Sequence, residues 1–253
     1  MRVIPVLDLK DGLVVHGVKG ERHRYQPVVS TLTNTAEPLA VARAFSEKLG
    51  LHELYIADLD AIQGRGHHRA IIACLAQQEQ MILLVDAGVT DVEGVLKLLD
   101  MGVSRVIIGA ETLCSWEALV TICAAVPVHR LVFSLDMRAG QVLSASPQLA
   151  GLHPLQVLER LQPMGWQEVI LLDLVRVGTG AGPDWTLIAE ARRRCPDLFL
   201  LAGGGVRDVG DLRGLEAAGV AGVLVATALH QGAITAYDLL SFRQGTDGEV
   251  ASP

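Results

Sequence analysis

The run Leu7-Asp8-Leu9-Lys10-Asp11-Gly12-Leu13-Val14 is an apolar segment that ends in an aspartate and continues into a turn at a glycine. The same pattern returns in the second half of the chain as Leu135-Asp136-Met137-Arg138-Ala139-Gly140-Gln141-Val142. A second pair follows in the same order, because Ala87-Gly88-Val89-Thr90-Asp91-Val92 resembles Gly204-Gly205-Val206-Arg207-Asp208-Val209. Segments that recur in one order indicate an internal duplication, so the sequence predicts two halves with the same succession of elements.

Short β-rich runs alternate with amphipathic stretches along the whole chain. The predicted strands are Val3–Leu7, Glu53–Ala57, Ile82–Val85, Arg105–Ile108, Leu131–Leu135, Glu168–Leu172, Leu198–Ala202 and Gly222–Val225. The predicted helices are Pro38–Leu49, Arg69–Gln78, Val92–Met101, Trp116–Ala124, Pro154–Met164, Trp185–Arg194, Asp208–Ala218 and Thr235–Phe242. Eight such units in about 250 residues are typical of a (β/α)8 barrel, the TIM barrel of the α/β class. An open doubly wound sheet is the alternative.

Residues 1–253 are expected to form a single barrel domain, with half-barrels at about 1–127 and 128–243 and a disordered tail at 244–253. Half of the residues are apolar and 19% are charged. Even so, no apolar run reaches the ~18 residues of a membrane-spanning helix. We therefore expect no membrane segment and no signal peptide, and we expect the apolar residues to lie in strands that are buried on both faces.

The formal charge of −7 comes from 21 basic and 28 acidic residues, and it disfavours a nucleic-acid partner. A phosphorylated small molecule remains possible as a ligand, because backbone amides bind phosphate regardless of net charge. The four cysteines form no Cys-x-x-Cys pair and no zinc spacing, so we expect no bound metal and a reducing, cytoplasmic location. The sequence makes no prediction of the oligomeric state.

Five predicted strands end in an aspartate, at the mouth of the barrel, the end where the carboxyl ends of the strands meet. These residues are Asp8, Asp58, Asp86, Asp136 and Asp173. Because neighbouring carboxyl groups cannot all ionise cheaply, they can supply both a general acid and a general base. Asp8 and Asp136 hold equivalent places in the two halves, so a substrate between them can be protonated and deprotonated from opposite sides. Loop capping is the alternative for each aspartate, and metal binding is a third interpretation.

The loop after the seventh predicted strand is Gly203-Gly204-Gly205, ahead of a helix. Glycines let the backbone approach an anion, and a helix start offers free N–H groups. The small residues Ala226 and Thr227 follow the eighth strand, and the last two loops of such barrels often bind phosphate. The sequence therefore predicts a phosphate site here, with a plain tight turn as the alternative.

The corresponding loop of the first half is Asp86-Ala87-Gly88, in which a carboxylate replaces a glycine. Asp86 would repel a phosphate, so Gly88 and Gly109 are candidates only for a weaker second anion site, and Asp86 could instead bind a sugar hydroxyl. His16 is a binding candidate that could point into the mouth and bring positive charge to this weaker site. The pair His67-His68 is expected to be a solvated helix start.

Further motifs match a known family in order along the chain. They are Ile4–Gly12, Ala57–Ala61, Ser134–Asp136, Gly178-Thr179, Gly182-Pro183, Gly203–Val206 and Val223–Leu229. From residue 4 to about 234, the chain thus resembles the histidine-biosynthesis barrel family. This family contains the phosphoribosylformimino-aminoimidazole carboxamide ribotide (ProFAR) isomerase and its cyclase sister, and the chain is more similar to the isomerase.

The resemblance implies a sugar-phosphate isomerase without metal or organic cofactor. Such an enzyme performs an Amadori rearrangement, aminoaldose to aminoketose, on a substrate with two phosphates. Asp8 would be the base that removes the proton from the sugar C2, and Asp136 would be the acid that helps to open the ribose ring. The Gly203–Gly205 loop, with Ala226-Thr227, would hold one phosphate, and Thr179 would be a further substrate contact.

Several residues depart from the family's pattern. His16 stands where the family has Arg, Asp86-Ala87 replaces Gly-Gly, Leu172 and Val177 replace a Thr and an Asp, and Gln141–Leu152 lacks a Gly-Trp. These changes predict binding of a single phosphate and weak or absent turnover of ProFAR. One alternative is a divergent paralogue that acts on another phosphorylated metabolite, similar to proteins that accompany methanopterin-linked one-carbon genes. The other is a non-catalytic barrel that binds a phosphorylated ligand.

Overall fold

Eight parallel strands in the described part of the chain pair in sequence order and form a closed barrel. The computed structural model describes residues 1–78 and 81–243, and the tail predicted at 244–253 lies outside them. The barrel strands are β1 (Arg2–Lys10), β2 (Glu53–Asp58), β3 (Ile82–Asp86), β4 (Arg105–Gly109), β5 (Leu131–Arg138), β6 (Glu168–Asp173), β7 (Phe199–Gly203) and β8 (Gly222–Val225). Closure comes from β8 and β1, which pair from Gly222 with Arg2 to Val225 with Pro5. The predicted (β/α)8 barrel is confirmed.

Helices follow the strands and cover the outside of the barrel. Within the described ranges they are α1 (Pro38–Leu49), α2 (Arg69–Ala76), α3 (Val92–Asp100), α4 (Trp116–Ala125), α5 (Pro154–Leu161), α6 (Trp185–Arg194), α7 (Val209–Ala217) and α8 (Ala236–Arg243). The amphipathic pattern located each of them to within a few residues. No helix in these ranges has both the length and the apolar composition needed to cross a membrane.

Smaller elements lie between the barrel strands and the helices. They are the strands Leu13–His16, Gln26–Pro27 and Gln141–Val142, the short helices Leu59–Ile62 and Thr227–His230, and the 3-10 helices Arg22–Arg24, Val128–Arg130 and Gln162–Met164. A hairpin follows both β1 and β5. Each hairpin turns through two residues with positive φ, Asp11 (51°) and Gly12 (80°) in the first and Ala139 (52°) and Gly140 (75°) in the second. The two similar sequence segments therefore share one local structure.

Successive strand residues alternate between two apolar cores. On β1, Ile4 belongs to the inner core, which fills the barrel, whereas Val3 and Leu7 belong to the outer core between the strands and the helices. On β5, Val132 is inside and Phe133 is outside. Because side chains of a strand point to opposite faces in turn, every second residue faces the barrel axis.

Four charged side chains close the inner core at the amino ends of the strands. They are Arg2, Glu53, Arg105 and Glu168, and each lies two residues before an inner-core residue. Each arginine pairs with both glutamates, and Glu53 lies 2.9 Å from Arg2 and 2.7 Å from Arg105. The glutamate side chains are only 13% and 11% exposed. These charges are tolerated there because each one has two partners of opposite sign.

These four paired side chains form a ring of charges, and removing one member of the ring should destabilise the barrel. In Glu168→Ala, Arg2 and Arg105 share a single glutamate in a largely buried place, so we expect a loss of about 3 kcal/mol in the free energy of unfolding. The control is Glu159→Ala, whose carboxylate is 49% exposed and pairs with Arg194 at the surface. Its loss should stay below about 1 kcal/mol. Urea unfolding measures both variants, and equal losses would contradict a special role for the ring.

Candidate active site

Three aspartates at the ends of β1, β3 and β5 point into the mouth of the barrel. They are Asp8, Asp86 and Asp136, and each is an even number of residues away from an inner-core residue of its own strand. The strand alternation therefore directs all three towards the axis. Because β1 and β5 are four strands apart in a barrel of eight described strands, Asp8 and Asp136 stand on opposite sides of the mouth.

Asp58 and Asp173 are the last residues of β2 and β6. Both lie an odd number of residues from the inner-core residues of their strands, so they do not face the axis, and they cap loops instead. Asp58 accepts hydrogen bonds from the backbone of Ala61 (3.2 Å) and from the backbone N (2.7 Å) and Nδ1 (2.8 Å) of His68. Asp173 accepts one from Nε of Arg176 at 3.0 Å. Neither aspartate lines the cavity of the mouth. Both aspartates are thus loop caps in this structure, as the capping alternative states, and their contact with a substrate stays a prediction.

His68 is not the solvated helix start that the sequence predicted, although the neighbouring His67 is exposed. Its ring is largely buried, and its Nε2 accepts a hydrogen bond from the backbone N–H of Gly12 at 2.9 Å. A ring nitrogen that accepts carries no proton, so the proton of the neutral ring is on Nδ1 and is donated to Asp58. His68 thus ties the loop after β2 to the hairpin turn after β1.

A cavity of about 330 Å³ occupies the mouth above the inner core. The part of its wall that runs from β1 to β5, called the acidic side, carries Asp8 and Asp136 at its two ends, together with Asp86, Glu111, Arg22, Tyr25 and Tyr55. The other side, the glycine-rich side, carries Thr179, Gly204, Gly205, Arg207, Ala226 and Thr227. The structure therefore brings the inward aspartates and most of the predicted phosphate-loop residues into one cavity.

Burial raises the pKa of all three inward aspartates. The pKa rises to about 7 for Asp8 and Asp136 and to about 6 for Asp86, mainly because the charged form loses water. The negative charges of Asp86 and Glu111 raise the pKa of Asp136 further. The Arg22 guanidinium acts in the opposite direction on all three. Near neutral pH, one of two such carboxyls can be protonated while the other is ionised, as a paired acid and base require.

Four residues of the acidic side were not predicted from the sequence. They are Arg22, Tyr25, Tyr55 and Glu111. A signal for two of them was present, because Tyr55 is on the inner alternation of β2 and Glu111 continues the inner alternation of β4. Arg22 lies on a loop whose path is set by distant contacts, such as the hydrogen bond from Lys19 N to Val177 O at 2.9 Å. No local pattern marks such a residue.

The glycine-rich side depends on close packing of the loops after β6 and β7. Gly204 and Gly205 have φ of 95° and 83°. A Cβ on Gly204 would lie 2.7 Å from Asp173 O, and one on Gly205 would lie 2.5 Å from Gly182 O. A larger residue would push the loops apart, so packing alone already requires glycine at both positions. Gly203, which was predicted with them, is not among the residues that line the cavity.

The helix Thr227–His230 begins at the edge of the glycine-rich side, and no side chain in the described part of the chain caps its N-terminus. His16 Nε2 lies 3.0 Å from Thr227 Oγ1, so His16 belongs to this side and not to the first-half loop where its charge was expected. Arg207 is held by Asp211 at 2.7 and 2.9 Å, which compensates its charge. Backbone amides are therefore the main anion donors that this side offers.

Contacts within the chain occupy the first-half loop at Gly88. The backbone N of Gly88 donates to Asp86 Oδ1 at 3.0 Å, so its amide already has a carboxylate partner. A Cβ on Gly88 would lie 2.9 Å from Ile62 Cα, because the helix Leu59–Ile62 covers this turn. The Cβ position of Gly109 lies 3.4 Å from Asp86 Oδ2. These contacts disfavour an anion at this loop, and the expected contact of Gly88 and Gly109 with a second anion stays a prediction.

The fold and the site define a class of barrel proteins with two inward aspartates on opposite strands and a glycine-rich loop beside them. The chain belongs to the histidine biosynthesis protein family, whose profile matches residues 2–235.

Its relatives cover almost the whole chain. A protein of Desulforudis audaxviator is 33% identical over 96% of this chain and 92% of its own length, and one of Thermus thermophilus is 31% identical over 92% and 96%. Both are named as isomerases of the imidazole carboxamide that carries two phosphoribosyl groups, that is, as ProFAR isomerases. An uncharacterized protein of Methanocaldococcus jannaschii is 32% identical over 95% of this chain and 98% of its own.

Replacing Asp136 by Asn should stabilise the protein at alkaline pH. The folded chain raises the pKa of Asp136 from 3.8 to about 7. The stability that this carboxyl contributes is therefore present below pH 3.8 and is lost as the pH rises through 7. Since Asn has no charge to bury, we expect the melting temperature at pH 8 to rise by about 2–4 °C or more, with a much smaller gain at pH 4.

The control for this measurement is Asp91→Asn, at an exposed helix cap where Asn caps as well as Asp. Its melting temperature should change little at either pH. A gain for Asp136→Asn that is equal at pH 4 and pH 8 would contradict the ionisation argument.

Proposed function

We propose that the protein is a sugar-phosphate isomerase of the ProFAR isomerase type, in which Asp8 is the general base and Asp136 the general acid. The observation that carries the proposal is the pair itself, on the opposite strands β1 and β5 of one cavity, each with a pKa of about 7. Membership of the histidine biosynthesis protein family and the isomerase names of two relatives support the same class of reaction.

The phosphate of the substrate binds on the glycine-rich side, to the backbone amides around Gly204-Gly205 and Ala226-Thr227. This contact places the sugar between the two aspartates. Asp136 donates its proton to the ring oxygen, which opens the ring to an imine, and Asp8 removes the proton from C2. The resulting enolamine takes up a proton at C1 and loses the proton of its C2 hydroxyl group, and so becomes the aminoketose. The steps move protons only, so the reaction is balanced as an isomerisation.

One observation on the first-half loop supports a divergent paralogue with another substrate over an enzyme that turns over ProFAR. The substrate named for the relatives carries two phosphoribosyl groups, whereas the Gly88 amide of this chain already binds Asp86. A carboxylate a few ångströms from a phosphate costs roughly 1 kcal/mol or more at an effective dielectric near 20. We therefore propose a phosphorylated metabolite with one phosphate as the substrate.

Substitution of either aspartate tests the acid–base assignment. Asp8→Asn and Asp136→Asn should each lower the kcat of the isomerisation by a factor of about 10²–10⁴. Ligand binding should persist, because the phosphate contacts lie on the other side of the cavity. Steady-state kinetics and calorimetric titration measure the two effects, with Asp91→Asn as the control. An active Asp8→Asn variant would end the assignment. Intact binding without turnover in the unmodified protein would favour the non-catalytic barrel.

Calorimetric titration decides between one and two phosphates. The unmodified protein should bind a pentose monophosphate at least as well as ProFAR, and its turnover of ProFAR should be weak or absent. Asp86→Gly removes the competing carboxylate from the Gly88 amide and should raise the affinity for ProFAR by about fivefold or more, since roughly 1 kcal/mol of repulsion is lost. Tight binding and efficient turnover of ProFAR by the unmodified protein would identify an ordinary histidine-pathway isomerase.

A further inference from the structure

Arg22 brings a positive charge into the acidic side of the mouth. It begins the 3-10 helix Arg22–Arg24, on the loop between the hairpin strands Leu13–His16 and Gln26–Pro27. Its side chain is 20% exposed and lines the cavity, where its guanidinium donates to Glu111 Oε2. The pairing crosses the mouth from the loop after β1 to the loop after β4. Arg22 therefore has a defined position, because Glu111 holds its charged end.

The loop that carries Arg22 is itself anchored. Lys19 N donates to Val177 O at 2.9 Å, and Nζ of Lys10 donates to the Arg22 carbonyl at 3.2 Å. A Cβ on Gly17 would lie 2.8 Å from Asp8 Oδ2, so the loop passes directly over that carboxyl. The position of Arg22 above the aspartates thus results from a backbone contact with the loop after β6 and from a side-chain contact with β1.

Four of the five strands of the acidic side contribute a carboxyl group near Arg22, and the fifth contributes a tyrosine. The carboxyl groups are Asp8 from β1, Asp86 from β3, Glu111 after β4 and Asp136 from β5, with Tyr25 on its own loop and Tyr55 from β2. On the β5 side, Arg138 is turned away to the Lys19 carbonyl at 3.4 Å. The positive charge of Arg22 acts on all three inward aspartates.

We propose that Arg22, held by Glu111, is a positioning residue that keeps one inward carboxyl ionised as the base and so sets the pH range of the reaction. Without a cation, the repulsion among the three inward carboxyls and the negative charge of Glu111 would favour the protonated forms of these carboxyls near neutral pH. The positive charge of Arg22 favours the ionised form of these carboxyls. Glu111 holds Arg22 in place, and its negative charge reduces the effect of Arg22 on them. The inference rests on the proposed isomerase function only where it concerns the reaction, and its effect on Asp8 and Asp136 can be measured without substrate.

The test is a carboxyl NMR titration of the full chain labelled with ¹³C at aspartate. In Arg22→Gln, the midpoints of Asp8 and Asp136 should rise by about one pH unit, the effect of losing an opposite charge at close range. Arg22→Lys keeps the charge and should recover at least half of the shift. The matched control is Arg24→Gln, on the same 3-10 helix, whose exposed side chain pairs with Glu21 at 2.8 Å. It should leave both midpoints unchanged.

A double variant separates charge from structure. Glu111 raises the pKa of Asp136, so Arg22→Gln combined with Glu111→Gln should return the Asp136 midpoint towards that of the unmodified protein. Unchanged midpoints in Arg22→Gln, or an equal shift in Arg24→Gln, would overturn the proposal.

Kinetics distinguish this inference from the proposed function. With a substrate that is turned over, the pH profile of kcat/KM for Arg22→Gln should move up by about one unit, so that kcat/KM at pH 6 falls about tenfold. Shifted midpoints with no turnover of any sugar phosphate would refute the isomerase and leave the positioning role standing. Turnover with an unmoved pH profile would refute the positioning role alone.

Discussion

The other features of this structure depend on one constraint, which is that the side chains of each strand point in turn to the inside and to the outside of a closed barrel. Each strand side chain faces either the helices or a confined interior that holds little water, and a charge in that interior needs a partner or a shifted pKa. At the amino ends of the strands, Arg2, Arg105 and two glutamates meet this requirement by pairing. At the carboxyl ends, Asp8, Asp86 and Asp136 meet it by holding protons more tightly. The first solution is a set of ion pairs, and the second leaves carboxyl groups that can gain or lose a proton near neutral pH.

The two sides of the mouth follow different physical rules. The acidic side is built from strand ends, whose directions are set by the sheet, and its properties are electrostatic. The glycine-rich side is built from loops that touch so closely that Gly204 and Gly205 cannot carry a Cβ, and its properties come from exposed backbone. A substrate with a phosphate at one end and a sugar carbon at the other fits this division, because backbone amides favour the anion and paired carboxyls transfer protons.

Membership of the family is compatible with a changed first-half loop. Strand-end residues such as Asp8 and Asp136 are held by the barrel itself, whereas loops can change without disturbing it. In the first half, one carboxylate at Asp86 satisfies the Gly88 amide from within the chain. That single replacement closes a backbone donor to ligands and adds negative charge, and neither effect requires a change in the fold.

The sequence by itself determined the barrel, the order of its elements and the five strand-end aspartates, three of which face inward, because period-two strands, amphipathic helices and strand-end positions are local patterns. It did not separate Asp58 and Asp173 from the inward aspartates, although counting alternate residues from Ile56 and Leu171 would have placed both outside. Tertiary structure alone decided the positions of Arg22 and His16 and the burial of His68. These residues lie on loops, whose paths depend on contacts with distant segments such as Glu111, Thr227 and Gly12. No periodicity encodes such contacts, since they exist only once the barrel has closed.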